Sequence, residues 1–113
     1  METITFGNWT ASFRAADAWA VAAWEAATAL PPGHRDLAVV LRQAALGCGA
    51  RLVAAAEGEE RDVQLREARG FLFEGRYALY LARRLSAVDG RRYRSLSGYL
   101  DRAFRETAAL SHA

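Results

Sequence analysis

Apolar positions recur at three- and four-residue steps along most of the chain, and the steps fall into four blocks. In the first, Trp9, Phe13, Ala16, Ala20, Ala23, Trp24 and Ala27 form one stripe of an α-helix. Asn8 suits its N-cap, and Leu30-Pro31-Pro32-Gly33 ends it, because a residue before proline is pushed out of the helical region. The second block carries Leu37, Val40, Leu41, Ala44, Cys48, Leu52 and Ala55 on one side. Val39, Leu46, Ala50 and Val53 fall on another, so this helix is expected to bury more than one face. Gly47 and Gly49 flank Cys48 and cost helix propensity of roughly 1 kcal/mol each, which close approach of a neighbouring helix would offset.

After a turn at Glu57-Gly58-Glu59-Glu60, the third block repeats Leu65, Ala68, Phe71, Leu72, Gly75, Ala78, Leu79 and Ala82. A turn at Val88-Asp89-Gly90 leads to the fourth, where Tyr93, Leu96, Leu100, Ala103, Phe104 and Thr107 make the apolar face. The pattern predicts an all-α chain with helices over about 8–30, 34–57, 61–87 and 90–111. Short connections between helices of similar length make this an antiparallel up-down-up-down four-helix bundle, a single domain over 1–113. A chain of 113 residues is long enough for one core, burying about two-thirds of the surface its unfolded form exposes.

Charge adds an asymmetry that hydropathy does not show. All fifteen basic residues are arginine. Residues 1–59 hold four arginines against six acids, whereas 60–113 hold eleven against seven, and 76–105 alone hold eight against two. A coding bias accounts for the missing lysines as well as function does, but not for the clustering. At roughly 100° per residue, Arg91, Arg94, Arg102 and Arg105 share an arc of about 80° opposite the apolar face of the fourth helix. Like charges on one face repel, so an anionic partner is one reading, with these four contacting phosphates and Arg83 and Arg84 in support. A solvated face offset by Asp101 and Glu106 is the other.

The third helix has a second side as well. Phe73, Tyr77 and Tyr80 lie with Arg66, Arg69 and Arg84 away from its core stripe, and one helix cannot place both sides in one core. Aromatic residues with arginine suit a subunit interface, and they also suit a surface that stacks bases. Together with Val39, Leu46 and Val53 on the second helix, Phe73, Tyr77 and Tyr80 are expected to meet another copy of the chain.

Reaction chemistry finds little material. The histidines are His34, in the Pro-Gly loop and expected to be exposed, and His112, and neither has a carboxylate or nucleophile at a recognisable spacing. Cys48, the only cysteine, sits on an apolar stripe and reads as a small core residue. The Glu-x-x-His pairs of di-metal bundles and phosphate-cradling glycine loops are absent. No enzyme activity, metal or other cofactor is expected. No segment approaches the ~18 apolar residues of a membrane span, and the N-terminus lacks a signal-peptide pattern, so no membrane contact and a cytoplasmic location are expected.

The run LRQAALGCGARLVAAAEG, followed by FLFEGRYALYLARRL and RRYRSLSGYLDRAFRETAAL, resembles the small four helix bundle protein family. That family includes proteins encoded in ribosomal RNA intervening sequences and the accessory variability determinant proteins of diversity-generating retroelements. The first branch carries a Ser-Ile-Pro-Ala-Asn run where this chain has Gly47-Cys48-Gly49-Ala50-Arg51, so the second branch is the more similar. The retroelement proteins are more basic and end in a Gly-Gly-Trp-like run, where this chain ends with Thr107 to Ala113. The resemblance implies a ring-shaped homopentamer that binds a reverse transcriptase and structured RNA, or an RNA/DNA hybrid, through a basic surface in support of mutagenic cDNA synthesis. A structural scaffold without nucleic-acid binding stands as the alternative.

Overall fold

In the computed structural model, which describes residues 9–110, four α-helices follow one another: α1 (Thr10–Ala29), α2 (Arg35–Ala56), α3 (Arg61–Arg84) and α4 (Gly90–Leu110). A 3-10 turn at Pro32–His34 separates the first two. Each helix packs on its two neighbours around the bundle, α1 on α2 and α4, and α3 on α2 and α4. Cross-links such as Ser12 to Glu106, Arg51 to Glu67 and Arg76 to Asp101 run opposite in sequence, as antiparallel neighbours require. The four-helix, all-α expectation therefore holds. Asn8 and His112 lie outside the described residues.

The buried stripes of α2, α3 and α4 are those the spacing predicts, but that of α1 is turned. Trp19, which the first stripe omits, is fully buried at the centre, whereas Trp24 is 46% exposed. The reason lies on the partner helix. A Cβ on Gly75 would stand 2.7 Å from Cζ2 of Trp19 and 3.4 Å from Cβ of Ala44, so the indole fills the notch that glycine leaves. An alanine-rich helix with apolar residues on most sides does not choose its own phase. The largest side chain goes where a vacancy is deepest.

Gly47 and Gly49 also separate. A Cβ on Gly47 would lie 2.6 Å from the Phe71 ring, so this glycine does admit α3, whereas nothing lies within 4 Å of a Cβ on Gly49. The second apolar side of α2 is not buried within the bundle: Leu46 is 67% exposed and Val39 is exposed too. Segment Pro32–Ala56 is long and apolar enough to cross a membrane by length and composition alone, contrary to the sequence expectation. Its buried stripe, however, packs between α1 and α3, as in the core helix of a bundle.

Two helices end in the same way. At the end of α2, Gly58 takes φ +90°, with Glu59 N–H donating to Ala54 O and Gly58 N–H to Ala55 O. This six-to-one, five-to-two pairing satisfies the last carbonyls. The end of α3 repeats it, Ala87 N–H to Ala82 O and Ser86 N–H to Arg83 O, but with serine at φ +58°. Hence α3 stops at Arg84, three residues before the predicted end: no glycine advertises the stop. Val88 is buried in the connection, Asp89 Oδ1 accepts from Arg92 N–H at 2.7 Å, and Gly90 opens α4 rather than closing a turn.

Two glycine exchanges should therefore act oppositely. Gly75→Ala adds a methyl against Trp19, and an overpacking cost of ~1–3 kcal/mol outweighs the helix-propensity gain of about 1. Ser86→Gly relieves a left-handed serine and is expected to stabilise by roughly 1 kcal/mol. Urea unfolding followed by circular dichroism checks both signs.

Candidate nucleic-acid interface

The row predicted on α4 exists as a surface. Arg91, Arg94, Arg102 and Arg105 are all exposed, and at 1.5 Å per residue they extend over about 21 Å, enough for several successive phosphates. Asp101, expected to offset them, turns to α3 instead, where its Oδ1 accepts from Arg76 Nη2 at 2.6 Å. Glu106 is half-buried, and its backbone carbonyl accepts from Ser12 Oγ of α1 at 2.7 Å. Among the described residues, none of the four arginines makes an ion pair.

The N-terminal end of α4 concentrates the charge. Arg91, Arg92 and Arg94 occupy its first two turns with no acid in the first turn, where the helix dipole already disfavours cations. Arg83, from the last turn of α3, joins them: its Nη2 and Arg94 Nη1 each lie 3.4 Å from where a Gly90 Cβ would stand. A Cβ at position 90 would be in ordinary contact with both guanidinium groups. Arg84 is exposed one residue further along α3, about 100° round the helix and on the side of Tyr77. The fold thus joins Arg83 to the α4 row and leaves Arg84 with the aromatic face.

That face lies on the outside of α3, bordered by α4 on one side and by Leu37 and Val40 of α2 on the other. Phe73 and Phe104 rings lie 4.9 Å apart, Arg76 stacks over Phe104 at 4.8 Å and Arg69 over Phe73 at 5.8 Å. Tyr77 and Tyr80 stack at 6.3 Å, and both are exposed, Tyr77 at 62%. Phe73, Arg76, Tyr77, Tyr80 and Tyr93 line a depression of about 450 Å³. The sequence does not single out Arg76, whose spacing to Asp101 crosses two helices and gives no local signal.

A second exposed apolar surface lies on the opposite side of the bundle, between α1 and α2. Phe13, Ala20, Val21 and Trp24 face Leu46, Ala50 and Val53 across a groove of about 390 Å³ in which Asp17 is the charged residue. Val53 is partly buried here, and Val39 is exposed on the same side of α2. Trp24 is not expected at the surface from the first stripe, whereas Val21 lies outside that stripe; both are exposed. Arg42 stacks over Trp24 at 5.5 Å and donates to Thr28 Oγ1 at 3.1 Å.

Groups that could do chemistry are spread out. Cys48 is fully buried, and burial pushes its thiol up to about 12, the reverse of an activated thiolate. His34 is half-buried in the 3-10 turn rather than exposed, its backbone N–H donating to Pro31 O. Among the described residues, no group of three or more His, Cys, Asp and Glu could hold a metal ion. No protein-family model matches this chain, and no curated protein matches it.

The thiol gives a pH test of the core. Its folded value, about 12, exceeds the ordinary value of 9.0, so between these pH values the unfolded chain binds fewer protons and stability falls as pH rises. Below pH ~9 this contribution is fully present. Urea midpoints measured from pH 8 to 11 should decline more steeply for the native sequence than for Cys48→Ala.

Proposed function

We propose that this chain is a non-enzymatic accessory protein that assembles with copies of itself and binds structured RNA, or an RNA/DNA hybrid, through the outer face of α4. By its resemblance to the retroelement branch of the four helix bundle family, the assembly is a ring-shaped homopentamer. On the same basis the protein works in the cytoplasm beside a reverse transcriptase, supporting mutagenic cDNA synthesis. The observation that supports nucleic-acid binding is the row Arg91, Arg94, Arg102 and Arg105 with Arg83: exposed, without an ion pair among the described residues, and densest at a helix N-terminus. Such a row is held together against its own repulsion, and phosphates remove that repulsion while releasing counterions. Arginine also suits phosphate better than lysine, since its planar fork donates two parallel hydrogen bonds.

The second reading, a scaffold with no nucleic-acid partner, is favoured by the two exposed apolar faces, which self-association alone would cover. Titration of a fluorescent structured RNA separates them. Affinity should fall steeply from low to moderate salt. The slope of log K against log salt should be smaller by about 1.4–1.8 in the Arg94→Ala, Arg102→Ala variant, or ~0.7–0.9 for each phosphate that an arginine no longer neutralises. A flat salt response, or an unchanged double variant, leaves the scaffold reading.

A further inference from the structure

The two exposed apolar surfaces lie on different sides of one molecule: the α1–α2 groove with Val21, Trp24 and Leu46, and the outer face of α3 with Phe73, Tyr77 and Tyr80. Each runs along the bundle for about two turns or more, from Phe13 to Trp24 on α1 and from Phe73 to Tyr80 on α3.

We infer that the α1–α2 groove of one copy receives the Phe73–Tyr77–Tyr80 face of the next, in a head-to-tail contact. The inference rests on the self-assembly part of the function proposed above, and it assigns the faces that meet. The shapes differ in the required sense, an apolar groove on one side and protruding stacked rings on the other. Charge agrees: Asp17 is the charged residue of the groove, and on the aromatic face the Arg69 guanidinium lies over the Phe73 ring. Neither Asp17 nor Arg69 has an ion pair among the described residues. Because the two faces are different surfaces, the contact is heterologous, and it closes into a ring where the rotation from one copy to the next divides a full turn.

Light scattering on two surface variants tests this. Leu46→Glu spoils the groove and Tyr77→Glu the aromatic face, and both positions are too exposed for either change to disturb the core. Each variant alone is expected as a monomer of 12.4 kDa, and an equimolar mixture as a dimer, because each supplies the face the other lacks. Asp17→Arg should likewise weaken assembly, and adding Arg69→Asp should restore it. A native chain that is monomeric overturns the inference, as does either glutamate variant that still self-associates or a mixture that stays monomeric. So does a Tyr77→Glu protein that assembles normally but loses RNA, which would give the aromatic face to nucleic acid. Assembly is read without RNA, so failure here is distinct from failure of the arginine row to bind it.

Discussion

The fit of one indole into one missing side chain sets the geometry of the bundle. Trp19 is its largest fully buried residue, and its seat exists because position 75 carries no Cβ. The rest of the interior is dominated by alanine and leucine, side chains that pack at many relative heights and rotations. A tryptophan is not so permissive, and truncating one in a core typically costs about 3–5 kcal/mol. Once it is placed, the rotation of α1 follows, and with it the exposure of Val21 and Trp24.

The same constraint separates apolar surface from charge. With the stripe of α3 pointed at Trp19, Phe73, Tyr77 and Tyr80 have nowhere to go but outwards, and Arg76 is brought over Phe104 beside Asp101. An exposed pair of this kind contributes little stability, up to ~1 kcal/mol. Its larger effect is on what remains: Asp101, on the same helix as the row, is engaged by α3. Surface electrostatics here depends on which arginine reaches the acid first.

The element pattern and three of the four buried stripes were readable from spacing, because α2, α3 and α4 each carry leucines that fix the phase. The stripe of α1 was not, since alanine has almost no phase information and Trp9, Trp19 and Trp24 compete for the interior. The arginine arc of α4 was readable for the same reason that its core stripe was, both being periodic on one helix. Arg83 beside Arg94, Arg76 on Asp101 and the distinction between Gly47 and Gly49 required knowing which helix lies opposite.

By itself, then, the sequence determined four amphipathic helices, their breaks at Leu30-Pro31-Pro32-Gly33 and Glu57-Gly58-Glu59-Glu60, and a basic face on the last helix. These depend on residues within a few positions of one another, where backbone geometry alone sets the neighbours. Only the tertiary structure decided which tryptophan is interior, which acid is spent on which arginine, and that two apolar faces stand on opposite sides of the molecule. Those are contacts between residues far apart in the chain, settled by where a large ring finds room and by how the helices then come to rest.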